Sequence, residues 1–171
     1  AYGVDYEDIR EAGGTVFFGT SSKSVYAVDA LTGKPVWKNP ATVGGRANGA
    51  SPVVSNGTCW VTGDDGHAFA LDAQTGAVTV TYKCQVASVN DRCVRSPALG
   101  PAGKSLFIAT AMNSVLAFNA QTGALLWSHR NAVGLRGSPV VSSDGAAVYT
   151  GNALHGLALD ARTGSVIAEF C

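Results

Sequence analysis

Four cysteines, three histidines and a handful of loop arginines are the residues of this 171-residue chain whose types suggest chemistry. Cys84 and Cys93 bracket QVASVNDR, a polar loop long enough to close with a disulfide. Cys59 falls at an apolar strand position, where a buried free thiol is the expectation. Cys171 stands last and is the thiol available to join another chain. His67 and His155 each precede an Asp by five residues, at Asp72 and Asp160. Two such imidazoles on one face can hold a metal, but the expected arrangement is each bonding to its own turn. His129 is expected to be solvated. Arginines stand in three loops: Arg46 in ATVGGRANGA, Arg92 and Arg95 within 85–95, and Arg136 in NAVGLRG. Converging guanidiniums would take a carboxylate, phosphate or acidic glycan; the plainer expectation is that each is separately solvated. The candidate binding residues are therefore Arg46, Arg95, Arg136, His67 and His155. No catalytic set, metal site or cofactor is expected: the chain has no CxxC, HExxH or nucleophile-elbow phrase. GGRANG lacks the spacing of a phosphate loop, and Asp64-Asp65-Gly66 and Asp144-Gly145 read as ordinary turns.

The elements that must position these residues come from a repeat. AVDALTGKPVW at 27–37 recurs as ALDAQTGAVTV at 70–80, AFNAQTGALLW at 117–127 and ALDARTGSVIA at 158–168. Thr32, Thr75, Thr122 and Thr163 mark steps of 43, 47 and 41 residues. A second phrase lies upstream of the later copies: SPVVSNGTCWVTG at 51–63, SPALGPAGKSLFIAT at 96–110 and SPVVSSDGAAVYTG at 138–151, with EDIREAGGTVFFG at 7–19 a degraded version. Short alternating runs with a period of 40–45 residues are the signature of propeller blades, one four-stranded sheet per repeat. The blades are expected at about 5–40, 51–84, 96–130 and 138–171, forming one all-β domain.

One unit shows the reading. Residues 51–55 suit a short buried inner strand, and Asn56-Gly57 is a hairpin turn because both residues accept positive φ. The second strand spans 58–62, the third 67–73 and the outer one 78–83. Asp29, Asp72, Asn119 and Asp160 end third strands, where their side chains can accept turn amides. Gly33, Gly76, Gly123 and Gly164 supply the unusual backbone angle. Trp37 and Trp127 are expected on outer strands, packing on the neighbouring blade. Trp marks blades 1 and 3 and His marks blades 2 and 4, so the true unit is readable as a blade pair of about 90 residues. In a closed four-bladed ring, blades 2 and 4 face each other across the axis, which makes a Cys59–Cys171 bond geometrically poor.

Composition narrows the function. Lys plus Arg and Asp plus Glu are equal at 12 each, leaving no basic stripe for nucleic acid. No apolar run reaches the roughly 18–20 residues of a membrane span. The chain begins at Ala1 and reads as a processed mature chain or a piece of something longer. Asn56-Gly57-Thr58 fits an N-glycosylation acceptor; with an even cysteine count it points to an extracellular or secreted protein, periplasmic in a bacterium.

The phrase Ala-x-Asp-x-x-Thr-Gly-x-x-x-Trp resembles the tryptophan-docking repeat of the PQQ-like, quinoprotein-type β-propellers. Ala27, Asp29, Thr32, Gly33 and Trp37 match it fully. Ala117, Thr122, Gly123 and Trp127 match with Asn119 in place of Asp, and the other two copies put Val80 and Ala168 at the Trp position. The resemblance implies either a PQQ-dependent dehydrogenase, whose members hold the quinone under a vicinal Cys-Cys disulfide beside calcium, or a noncatalytic assembly or binding propeller. This chain has no adjacent cysteines. The expectation is a noncatalytic module with a protein or glycan partner, other copies of itself included. The alternatives are a self-assembling structural protein and a fragment of a dehydrogenase. Four blades leave three arrangements open: a closed ring, part of a larger ring, or part of a larger assembly.

Overall fold

A computed structural model describes residues 9–47, 49–86, 88–131, 135–151 and 155–170. They form four separate antiparallel sheets of four strands each. Blade 1 comprises β1 (Ile9–Ala12), β2 (Thr15–Gly19), β3 (Ser24–Asp29) and β4 (Ala41–Thr42); blade 2 comprises β5 (Val53–Ser55), β6 (Thr58–Thr62), β7 (His67–Asp72) and β8 (Val78–Lys83). Blade 3 comprises β9 (Ala98–Leu99), β10 (Ser105–Ala109), β11 (Ser114–Asn119) and β12 (Leu125–Arg130). Blade 4 comprises β13 (Val140–Val141), β14 (Ala147–Gly151), β15 (Gly156–Asp160) and β16 (Val166–Phe170). Strands pair in sequence order within every sheet. The only helical element among the described residues is a single 3-10 turn at Pro101–Gly103.

Alternation along the middle strands gives each blade two apolar faces, as a sheet buried on both sides requires. One face, Phe17, Val25, Ala27 and Trp37 in blade 1, packs against Cys59, Val61, Phe69 and Leu71 of blade 2. The same relation joins Trp60, Ala68, Ala70 and Tyr82 of blade 2 to Leu106, Ile108, Leu116 and Phe118 of blade 3. It joins Phe107, Val115 and Ala117 of blade 3 to Val148, Leu157 and Leu159 of blade 4. The core is thus three slabs between blades rather than one centre.

The ring does not close. Phe17, Trp60 and Phe107 hold equivalent places and are 2%, 5% and 1% exposed; Tyr149, their counterpart in blade 4, is 43% exposed. Phe170, at the place of the fully buried Tyr82, is 52% exposed. At the other end Val16, Phe18, Tyr26 and Val28 of blade 1 are only half-buried, with Phe18 and Tyr26 stacked at 5.3 Å. The closed-ring arrangement is therefore set aside in favour of an open arc of four blades.

Two local expectations are corrected. Blade 1 lacks a continuous outer strand: Trp37 sits in a bend between an isolated Val28–Pro35 bridge and the short β4. Pro35 and Pro40 have no N–H to give a ladder, so the Trp reaches its neighbour without a strand around it. The first strands are not deeply buried either. Residues Val53–Ser55 are half-buried throughout and Val140 is 62% exposed, because each is the edge strand of its sheet.

Candidate functional site

The recurring turn is built from its Asp outward. Asp29 Oδ1 accepts bonds from the Leu31 N–H at 3.2 Å, the Thr32 N–H at 2.8 Å and the Thr32 hydroxyl at 2.7 Å. Asp72 and Asp160 repeat this set with Thr75 and Thr163. The threonine hydroxyl, followed by the threonine N–H, holds each of these three carboxyls below its ordinary range. Asn119 keeps the two backbone bonds, at 3.0 Å each. The glycine after each Thr takes φ between +67° and +76°, and there the missing Cβ matters. A Cβ on Gly76 would stand 2.8 Å from the Trp37 ring, and one on Gly164 2.6 Å from the Trp127 ring. Trp37 Nε1 donates to Ala73 O and Trp127 Nε1 to Ala161 O, each at 3.0 Å. A bulge in β12 just before Trp127 re-aims its side chain. Each socket is therefore a glycine floor, a carbonyl acceptor and an indole from the preceding blade.

Blade 2 has Val80 where the indole belongs, and the structure shows the substitute. Trp60 on β6 donates its Nε1 proton to the Tyr82 hydroxyl at 3.1 Å, and that hydroxyl donates to Ala120 O. Ala120 holds the place of Ala73 and Ala161. Sequence reasoning passed over both residues, although Trp60 stands where Phe17 and Phe107 stand in the other blades. It also passed over a threonine at the end of each second strand: Thr20, Thr62, Thr110 and Thr150 are all buried. Thr62 Oγ1 donates to Arg95 O and Thr150 Oγ1 to Gly137 O, each at 3.1 Å, tying entry loops to the sheets.

Those loops bring the arginines together. Arg92, Arg95 and Arg136 line one cavity of about 480 Å³, and Arg92 also walls a smaller one of about 200 Å³ with Arg46 and Asp64. Arg46 is bound to the blade 2 turn: its N–H donates to Asp64 Oδ1 at 2.8 Å and its Nε lies 3.9 Å from Asp64 Oδ2. Gly44 and Gly45 lie against the same turn, where a Cβ would meet Asp65 at 2.2 Å and 2.6 Å. The glycine-rich run is thus a close backbone approach. The loop before blade 3 is fastened by a disulfide between Cys84 and Cys93, whose Cα atoms are 6.1 Å apart. Asp91 is buried there and takes the Arg92 and Met112 N–H groups on Oδ1, at 2.9 Å and 3.0 Å.

The two candidate histidines are not brought together with each other. His67 Nδ1 lies 3.3 Å from Asp65 Oδ2, its own turn, and blade 3 stands between it and His155. Cys59 is a buried free thiol whose pKa burial pushes up to about 12. Asn56 is exposed at its turn with φ 47°, and Cys171 lies outside the described residues. A quinone pocket of the dehydrogenase kind does not fit these residues. The bonded cysteines are nine positions apart rather than vicinal, and among the described residues no three His, Cys, Asp or Glu stand together as metal ligands.

Four-stranded sheets docked in file, two of their three interfaces through an indole seated on a glycine, define a β-propeller of PQQ-like repeats. The family model described as outer membrane protein assembly factor BamB matches residues 21–170, and the chain belongs to that family. The crystal structure of BamB from Moraxella catarrhalis superposes with a TM-score of 0.73 at 23% identity, covering 99% of this chain and 51% of that one. The computationally designed Ika8 protein superposes with a TM-score of 0.74 at 16% identity, over 95% of this chain and 48% of that one. Among curated proteins, a quinoprotein ethanol dehydrogenase of Pseudomonas aeruginosa is 32% identical over 107 residues, 58% of this chain and 17% of its own length. The quinoprotein alcohol dehydrogenase PedH of Pseudomonas putida is 27% identical over 118 residues, 63% of this chain and 20% of its own. The matched stretch is thus at most a fifth of either curated relative's length. No helix among the described residues is long and apolar enough to cross a membrane.

Proposed function

We propose that this chain is a noncatalytic assembly module of the periplasm or cell exterior, docking further blades of its own kind. The observation that carries the reading is the pair of faces at the ends of the arc that no described blade covers. Blade 1 presents Phe18 and a turn whose Gly33 would meet nothing within 4 Å if it carried a Cβ. Blade 4 presents Tyr149 and Phe170. Every other face of these types is covered by a neighbouring blade, and uncovered sheet faces favour association. In the isolated chain the occupant is a second copy. Blade 4 lacks Trp at its outer strand as blade 2 does, and blade 1 carries one as blade 3 does, so docking 4 onto 1 continues the alternation. The half-span match to a BamB chain supports two arcs making one ring. The disulfide and the family description support the compartment and the assembly role. Sedimentation analysis over a concentration series tests this: a dimer is expected, and a strict monomer at high concentration rejects it.

A second reading is favoured by the two quinoprotein dehydrogenase relatives: the chain as a segment of such an enzyme. Adding PQQ and calcium decides between them. Stoichiometric quinone binding with dye reduction by an alcohol would replace the assembly reading.

A further inference from the structure

We infer that the cavity between the loops entering blades 3 and 4 is a binding site for carboxylates. Its wall carries Arg92, Arg95 and Arg136 and, among the described residues, no acidic side chain. None of the three forms an ion pair with a described residue. Arg95 Nε is buried without a hydrogen-bond partner among the described residues, and a desolvated guanidinium N–H of this kind is stabilised by an incoming acceptor. Three cations around one hollow repel one another, which an anion relieves. At about 480 Å³ the hollow has the size of a small-molecule site rather than of a single ion.

The wall is also set in advance. The Cys84–Cys93 disulfide closes the loop that carries Arg92, and Arg95 follows two residues beyond it. Arg92 O accepts the Ala111 N–H at 2.9 Å, and Thr62 holds the Arg95 carbonyl. Asn113 takes φ 65° and its Oδ1 accepts the Leu135 N–H at 3.1 Å, fixing Leu135 next to Arg136. The N–H groups of Arg92, Ala111, Leu135 and Arg136 are already engaged, with Asp91, Arg92, Asn113 and Gly151. Guanidinium forks match carboxylate and phosphate alike; a hollow of about 480 Å³ suits a molecule carrying several carboxylates better than a single phosphate ion. The carboxylates come from a small polycarboxylate or from an acidic segment of a partner protein.

Calorimetric titration of the whole chain at low salt tests the assignment, with citrate in one arm, a hexaglutamate peptide in another and inorganic phosphate as comparison. Binding in either carboxylate arm, at least ten times tighter than phosphate, is expected and says which source the site prefers. Arg136→Gln should weaken that binding at least tenfold, while Arg130→Gln, an equal charge change on an outer strand, should leave it within twofold. Circular dichroism melts confirm that both variants fold. Absence of binding in both carboxylate arms, phosphate binding as tightly, or Arg136→Gln matching Arg130→Gln would each overturn the site. Oligomeric mass is a separate readout, so failure here leaves the assembly reading standing.

Discussion

Trp60 and Tyr82 are joined by an indole-to-phenol hydrogen bond of 3.1 Å, and through Tyr82 the pair reaches the carbonyl of Ala120 in the next blade. In the flanking interfaces one Trp makes that reach alone. The indole has moved from the outer strand to the second strand, and a tyrosine bridges the distance. Tyr82→Phe leaves the Trp60 N–H and the Ala120 carbonyl buried without partners, a loss of about 2 kcal/mol or more. Adding Val80→Trp to that variant restores an indole over Gly123 and should recover part of the loss. A urea denaturation cycle over the two single variants and the double one measures the coupling.

Gly76 and Gly33 both take left-handed backbone angles, φ +76° and +67°, and have opposite surroundings. Gly76→Ala meets both the left-handed strain and the Trp37 ring, and should cost roughly 2–3 kcal/mol. Gly33→Ala meets the strain alone and should cost about 1 kcal/mol. The difference in denaturation midpoint isolates what the occupied socket contributes.

Much of this was legible beforehand. The strand limits of blade 2 follow from Asn56-Gly57 and from alternation, since a turn needing two positive φ angles has few other solutions. The Asp–Thr–Gly turn was readable because all its bonds are local. Closure was not legible: it depends on the small angle between neighbouring faces, accumulated over four blades, and no single segment encodes it. The Trp37 strand failed because the repeat template outweighed Pro35 and Pro40, which were in plain view. The meeting of Arg92, Arg95 and Arg136 was hidden by loops of unequal length, which carry no common register.

Acid should loosen the turns selectively. Asp29, Asp72 and Asp160 have pKa values lowered chiefly by their threonine hydroxyls. A carboxyl depressed in the folded state contributes stability that is present above its unfolded pKa and is lost as pH falls through the folded one. The loss should begin near pH 4, the ordinary carboxyl range, and deepen below it. Asn119→Asp adds a fourth acid-sensitive Asp–Thr–Gly turn: its melting temperature should exceed the wild type's at pH 7 and lose that margin by pH 3.

The cysteines should separate by reagent. Cys59, with its thiol pKa pushed up to about 12 and its side chain buried, should resist a thiol-titrating dye at pH 8 until the protein is denatured. Reducing Cys84–Cys93 should lower stability by about 2–3 kcal/mol, the scale for a short closed loop, and should weaken citrate binding if the loop is held for the arginines.

An arc whose blades touch only their neighbours behaves as a one-dimensional stack, with stability propagating through adjacent contacts. Its two outermost members each have one partner where the inner pair has two. Deuterium uptake should therefore run inward from both extremities, with amides of β2, β3, β14 and β15 exchanging ahead of those of β7 and β11. Capping either extremity with a partner would slow the whole sequence from that side.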